Sequence, residues 1–229
     1  MEDLTQNLLV MIVCYGYIIA TIIISGILPL PRNISRKFLH AMIGNLPFIM
    51  PFFTNPIFPF LVAAPFIIVT FLATPYSPIK IADKLGKLGD LTEEGHSLGL
   101  VMYAVSYAAL AYLFGVKPYV VAAGILPMAY GDSSAALLGL YYGKHKYKFI
   151  ETKSIEGSLG MFLGSFLSIS ASIAYFGMFY TFNFTNFLIP ITIISLLVTV
   201  VEAISPKGID NIAVPAVGAI SFILLNGGS

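Results

Sequence analysis

The chain has 229 residues, of which 58% are hydrophobic and only 10% charged, and its mean hydropathy is +0.90. A soluble domain of this length needs more polar surface, so the composition excludes that class and indicates a polytopic membrane protein. The net charge of +1 identifies no partner, and we expect none among nucleic acids. The single cysteine, Cys14, excludes an internal disulfide and a cysteine metal cluster.

Eight apolar stretches are long enough to predict membrane-spanning helices. In chain order they cover residues 6–29, 37–54, 56–74, 97–114, 118–141, 157–179, 186–204 and 210–226. The first follows two acidic residues, Glu2 and Asp3, which favours a permanent span over a cleaved signal. We therefore predict an all-α integral membrane protein with about eight spans and a single catalytic domain over residues 1–229.

The basic residues predict the orientation of these spans. Eleven of the 12 Lys and Arg residues lie in the loops after the first, third, fifth and seventh spans, and Lys117 lies on the other side. Loops rich in Lys and Arg stay in the cytoplasm, so we expect these four loops there and both termini outside. In the loop over residues 77–97, the spacing of Ile81, Leu85 and Leu88 predicts a short surface helix, either a lid or a connector.

Asp132 lies well inside the fifth span, roughly 14 Å from its end at 1.5 Å per residue. A carboxylate there is disfavoured by roughly 2.5–3.5 kcal/mol on insertion scales, so it needs a cation, a metal or a proton beside it. Small residues recur every four positions around it and leave room for a neighbouring helix or a bound group. These small residues are Gly131, Ala135, Gly139 and Gly143.

A second polar cluster connects the fifth and sixth spans. It begins at Lys144 and ends with Lys153, Ser154, Glu156 and Gly157. Ser154 is predicted to cap the sixth helix, and a helix N-terminus beside Lys153 suits a phosphate. Glu156 is a candidate Mg²⁺ ligand, because this cation prefers carboxylate and phosphate oxygens together. The GLYYGK stretch at 139–144 is not a P-loop, since its spacing and the residue after the lysine are wrong.

Two further clusters lie at the same predicted face. Asp210 and Asn211 open the eighth span, where Asp210 is either a helix cap or part of a site. Arg36 and His40 share a face of the second helix, with Lys37 beside them. Carboxylates, lysines and helix N-termini at one membrane boundary indicate a Mg²⁺-nucleotide site that faces a lipid substrate, because phosphoryl transfer depends mainly on positioning and charge neutralisation.

Four motifs carry a resemblance to a known family. They are RKFLH at 36–40, GDSSAALLGLYYGKHKY at 131–147, KSIEGS at 153–158 and IDNIAVP at 209–215. Together they resemble the CTP-dependent polyprenol kinases, the family of the dolichol and phytol kinases, over roughly residues 35–216. The resemblance implies CTP as phosphoryl donor and a long-chain isoprenoid alcohol of the membrane as acceptor, with a polyprenyl phosphate and CDP as products.

The resemblance also implies roles for individual residues. Its nucleotide region corresponds to Asp132, Ala135, Gly139, Gly143, Lys144, Lys153, Glu156 and Gly157, which we extend to the adjacent Gly131 and Ser154. Asn211 with Asp210 matches its last polar pair, and Arg36, Lys37 and His40 match its first basic motif. Ser154 stands where threonine is common in the family.

We predict catalytic roles for Asp132, Asp210, His40 and Lys153. In this hypothesis Asp132, with Glu156 or Asp210, holds Mg²⁺ on the CTP phosphates, and Lys153 and the Lys144 region neutralise the remaining charge. The proton of the alcohol goes to Asp210 or His40, and the sequence leaves both open.

Two other functions remain open at this stage. A cytidylyltransferase uses the same Mg²⁺-CTP chemistry but joins the α-phosphate to a lipid phosphate. A transporter explains intramembrane Asp132 and His40 as an ion or proton path, although the chain shows no inverted repeat. The GMFLG stretch at 160–164 serves either a homodimer or packing within the chain.

Overall fold

A computed structural model describes residues 2–78 and 98–226 of the chain. The surface helix predicted around Ile81, Leu85 and Leu88 lies outside the described residues. In chain order the α-helices are α1 (Glu2–Ile27), α2 (Arg32–Ile43), α3 (Ile57–Leu72), α4 (Gly99–Phe114), α5 (Pro118–Leu126), α6 (Asp132–Tyr142), α7 (Ile155–Phe176), α8 (Phe184–Ile204) and α9 (Asp210–Leu225). The predicted all-α class is confirmed.

Within residues 2–78 and 98–226, four helices are long and apolar enough to cross a membrane. They are Asp3–Ile27, Pro118–Tyr142, Ile155–Phe176 and Phe184–Ile204. Three shorter apolar helices accompany them, at Ile57–Leu72, Gly99–Phe114 and Asp210–Leu225. The chain is therefore a membrane protein, while the count of eight spans and the outside N-terminus stay predictions.

The second predicted span, 37–54, is not one helix. Helix α2 ends at Ile43, and a 3₁₀-helix follows over Leu46–Phe52. Pro47 and Pro51 explain the change, because proline lacks an N–H and its ring clashes with the carbonyl group four residues earlier. Helix α2 is therefore short. It packs against helices from the middle of the chain and does not cross the fold by itself.

The centre of the fold is one continuous helical segment over residues 118–142. Every residue of α5 is buried, and a π-helical turn at Pro127–Gly131 connects α5 to α6. Such wide turns occur often at functional sites, and this one ends directly before Asp132. The first part of the predicted fifth span, α5 with the π-helical turn, is thus the buried axis around which other helices pack, while α6 is partly exposed.

Helix α7 packs closely along α6 through its glycines. A Cβ atom on Gly160 would lie 2.7 Å from the backbone oxygen of Ser134, and one on Gly164 would lie 2.8 Å from that of Tyr130. Neither distance is compatible with a real side chain, so both glycines are needed for the close approach. The GMFLG stretch therefore serves packing within the chain, and a homodimer stays untested.

A short antiparallel hairpin, which the sequence did not lead us to expect, connects α6 to α7. Strand β1 (Lys146–Lys148) pairs with β2 (Thr152–Ser154), and Tyr147 lies opposite Lys153. The hairpin ends at the first residue of α7 and so fixes Lys153 beside that helix N-terminus. At the other end of the central segment, Tyr119 packs on Phe182 with ring centroids 5.1 Å apart. This aromatic end lies about 20 Å from Asp132 along the helix axis.

Candidate active site

A polar cavity of about 420 Å³ lies where α2, α6, the hairpin and the facing ends of α7, α8 and α9 meet. Five basic and four acidic side chains line it, which is an unusual density of charge for a chain this apolar. The basic ones are Arg36, Lys37, Lys146, Lys153 and Lys207, and the acidic ones are Asp132, Glu151, Glu202 and Asp210.

Asp132 pairs with Lys37 of α2. The Lys37 ammonium group donates a hydrogen bond to the Asp132 carboxylate, and the two side chains are 22% and 21% exposed. The next residue, Ser133, donates to the backbone oxygen of Lys37 at 3.2 Å, which holds α2 against α6 at this point. The cation expected beside the intramembrane carboxylate is therefore a lysine from the first basic motif.

A second ion pair forms between Lys153 and Glu202. The Lys153 ammonium group donates to the Glu202 carboxylate and also to the Glu202 backbone oxygen, at the end of α8. Ser154 accepts a hydrogen bond from the Gly157 backbone N–H at 3.1 Å, so the predicted cap of α7 is confirmed. Lys153 is thus held where the N-terminal N–H groups of α7 reach the cavity.

Asp210 is the first residue of α9 and lines the same cavity. Its carboxylate accepts a hydrogen bond from the Asn211 backbone N–H at 3.0 Å. The Asn211 backbone oxygen in turn accepts a hydrogen bond from Ser106 of α4 at 2.6 Å. Asp210 lies within electrostatic range of Asp132, Lys153 and Lys37, so these charges act on one another across the cavity.

His40 lies at the inner wall of the cavity and is 6% exposed. Its ring packs edge-to-face on Tyr103 with centroids 4.2 Å apart, and the Tyr103 hydroxyl donates to the His40 backbone oxygen at 3.1 Å. Within residues 2–78 and 98–226, its Nε2 atom has no hydrogen-bond partner. A buried polar atom in this state costs roughly 1–3 kcal/mol, so it is a candidate contact for a ligand.

Most of the other predicted residues also line the cavity, and four do not. Ala135, Gly139, Ser154, Gly157 and Asn211 are part of its wall, whereas Gly131, Gly143, Lys144 and Glu156 are not. Glu156 instead accepts a hydrogen bond from His145, with 2.7 Å between Nδ1 and Oε1. A Cβ on Gly131 would lie 2.8 Å from the Met161 sulfur, so this glycine faces α7.

The acidic residues suit a metal that is shared with a ligand. Among the described residues, no group of three or more His, Cys, Asp or Glu side chains is placed to hold a metal ion. Mg²⁺ commonly binds one or two carboxylates and takes its other oxygens from phosphates and water. Asp132 and Asp210 share the cavity and meet this requirement, while Glu156 lies outside its lining.

Four charged lining residues received no role from the sequence: Lys146, Glu151, Glu202 and Lys207. Glu202 was recognisable as an acidic residue at the end of an apolar span, but its partner Lys153 is 49 positions away. Lys146 and Lys207 belong to the basic loops. In such loops a functional lysine cannot be distinguished by sequence from one that only sets the membrane orientation.

The fold and the site define a helical membrane protein with a charged cavity at one end of its central helix. No family model and no solved structure matches the chain. It is 32% identical to a phytol kinase of Synechocystis sp. (strain ATCC 27184 / PCC 6803 / Kazusa) over 195 residues, 83% of this chain and 78% of the relative. This chain belongs to the phytol kinase family, as the four motifs predicted.

Plant relatives extend the similarity. The chain is 27% identical to the probable phytol kinase 1, chloroplastic, of Glycine max over 203 residues, which are 84% of this chain and 67% of that one. It is 27% identical to the phytol kinase 1, chloroplastic, of Arabidopsis thaliana over 194 residues, 80% of this chain and 64% of that one. These alignments cover most of the described residues.

Proposed function

We propose that this protein is a CTP-dependent kinase of an isoprenoid lipid alcohol. It transfers the γ-phosphate of CTP to the hydroxyl group and releases CDP. The observation that carries the proposal is the meeting of Asp132, Asp210 and Lys153 with the N-terminus of α7 in one cavity. The names of the relatives favour phytol over dolichol or another polyprenol as the acceptor.

The charge balance of the cavity supports a role for Mg²⁺. Five basic and four acidic side chains nearly cancel, so the cavity alone offers little attraction to a triphosphate. When bound, Mg²⁺ neutralises charge on the transferring phosphate. Asp132 and Asp210 are the carboxylates that would hold it, and their mutual repulsion without a cation favours its binding.

The lysines and the helix N-terminus would bind the phosphate oxygens. Lys37, which pairs with Asp132, would donate to a phosphate oxygen if that carboxylate held the metal. Lys153, positioned by Glu202, donates to a second phosphate, and the first N–H groups of α7 face the same charge. The N-terminus of α7 and both lysines thus converge on one anion.

His40 is the better placed of the two candidate proton acceptors. Its Nε2 has no partner within the described part of the chain, whereas Asp210 is engaged by Asn211 and required for the metal. The hydroxyl oxygen attacks the γ-phosphorus, the bond to the β-phosphate oxygen breaks, and the hydroxyl proton passes to Nε2. The alcohol enters from the bilayer, and we place the cavity on the cytoplasmic side, where CTP is present.

The test supplies purified protein with Mg²⁺, phytol and CTP labelled at either the α- or the γ-phosphate. Label from the γ-phosphate on the lipid is the expected result. Label from the α-phosphate on a lipid phosphate assigns a cytidylyltransferase instead. Transfer of neither label to any isoprenoid alcohol, with no stabilisation by CTP, overturns the proposal and favours a transporter.

A further inference from the structure

A second cavity, of about 80 Å³, lies against a neighbouring face of α2. Side chains of α1, α2, α3 and α4 form it, and its described lining includes no charged residue. Its lining includes Thr70, which donates to the Phe66 backbone oxygen at 2.6 Å, and Tyr103, which donates to the His40 backbone oxygen at 3.1 Å, so these hydroxyls are used within the protein. A cavity of this kind stays dry and binds apolar groups.

Helix α2 separates the two cavities and contributes to both. Arg36 and His40 line the polar cavity, while Leu39 and Ile43 line the apolar one. Each pair is spaced four residues apart, so each forms a stripe along one face of the helix. The same twelve-residue helix therefore forms part of the wall of both cavities.

The His40–Tyr103 ring contact marks the place where the cavities meet. His40 lines the polar cavity and Tyr103 lines the apolar one, and their ring centroids are 4.2 Å apart. Within the described residues, the Nε2 atom of His40 has no hydrogen-bond partner. A ligand that spans this junction needs an apolar body on the Tyr103 side and one hydroxyl group at its end on the His40 side.

We propose that the apolar cavity binds the isoprene unit that carries the hydroxyl group of the acceptor. This inference rests on the proposed function, since it assigns the acceptor end of the same reaction. A cavity of roughly 150 Å³ holds the six carbons of a benzene molecule, so one of about 80 Å³ holds the methyl branch and adjoining carbons of one unit and not a complete tail. The remaining units extend into the bilayer, and the cavity selects the branching of the first unit and leaves chain length free.

The first test fills the cavity with Ala104→Leu. Ala104 is buried in its wall, and three added carbon atoms occupy most of the free volume. We expect kcat/KM for phytol to fall about tenfold or more, with an unchanged KM for CTP and an unchanged melting temperature with CTP bound. Ala109→Leu is the matched control, because this residue of the same helix is exposed and the same change there should leave all three values unaltered.

A second variant and a second readout keep the test independent of folding and of turnover. Ala63→Leu fills the cavity from α3 and should act in the same way if Ala104→Leu unfolds. Separately, an isoprenoid alcohol with a photoreactive diazirine on its first unit should label α2 and α4 of the wild-type protein. Filling variants that retain full phytol turnover, or labelling confined to lipid-facing residues, overturn the inference.

The two proposals fail in distinguishable ways. A protein that phosphorylates phytol but is not labelled at α2 or α4 refutes the cavity assignment alone. A protein that is labelled there but transfers no phosphate from CTP refutes the kinase assignment and keeps the apolar site.

Discussion

Asp132 and Lys153, the two side chains most closely tied to the proposed chemistry, both occupy ion pairs before any substrate arrives. Charges that are paired cost less in an apolar fold than isolated ones, so these pairs let the cavity exist without a ligand. They also define what a ligand must replace. If Asp132 held the proposed metal, Lys37 would be free to bind a phosphate oxygen.

Asp132→Asn should reduce phosphate transfer about 100-fold or more while the protein still folds. The amide keeps the size of the side chain but loses the charge that would hold Mg²⁺. Turnover and thermal unfolding in detergent measure the two effects. Asp3→Asn is the control, because Asp3 lies in α1 outside the cavity lining. Near-normal turnover of Asp132→Asn would refute the assigned role.

The Lys153–Glu202 pair should show a strong coupling in stability. The two side chains are 18% and 9% exposed, so removal of one leaves a nearly buried charge without its partner. Lys153→Met alone should lower the free energy of unfolding by roughly 3 kcal/mol. The double variant with Glu202→Leu should recover most of that loss but none of the turnover. If the stability losses of the two single variants add up to the loss of the double variant, the pair is not coupled.

The sequence predicted the residues whose environment is local and missed those whose partners are distant. Ser154 caps α7 through a residue three positions away, and that interaction was readable from the spacing. Glu156 was predicted to hold a metal; the structure pairs it with His145 outside the cavity lining, so that role stays a prediction. The pairing of Lys153 with Glu202 depends on how α8 packs against α7, which no local pattern encodes.

At the level of helices, glycines determine how closely α6 and α7 approach. The four-residue repeat of small residues predicted either a neighbouring helix or a bound group. The structure places Gly131 of this repeat against Met161 of α7, and Ala135 and Gly139 in the cavity wall. One stripe therefore serves both purposes along its length, which explains why its pattern alone could not distinguish them.

Gly160→Ala should destabilise the protein by about 1–3 kcal/mol. Its Cβ would lie 2.7 Å from the backbone oxygen of Ser134, and a backbone atom in a packed helix cannot move aside cheaply. Gly16→Ala is the matched control, since a Cβ there meets nothing within 4 Å. Thermal unfolding of both variants in the same detergent compares them. A neutral Gly160→Ala would show that α7 approaches α6 less closely than described.

For the chain as a whole, the fold class followed from composition, and the length of individual helices did not. Seven apolar helices match predicted spans. The second span fails because Pro47 and Pro51 end the α-helical pattern within an apolar stretch that hydropathy alone cannot divide.

The predicted orientation can be tested with the single native cysteine removed. In a Cys14→Ala background, Lys148→Cys in the hairpin and Thr181→Cys at the aromatic end place exposed thiols at opposite ends of the central segment. In intact cells, a membrane-impermeant maleimide should label the residue-181 thiol and leave the residue-148 thiol unlabelled until the membrane is permeabilised. The reverse pattern would place the cavity outside and refute the positive-inside assignment.

The position of α2 between two cavities has a thermodynamic consequence. A ligand in either cavity that shifts this helix changes the wall of the other cavity at the same time. Linkage then requires that CTP alters the affinity for the alcohol by the same factor by which the alcohol alters the affinity for CTP. Calorimetric titration of each substrate with and without the other, with Mg²⁺ bound and a nonhydrolysable CTP analogue, should give two equal ratios that both differ from one. Helix α2 would then couple the two binding sites, so that either substrate prepares the site for the other.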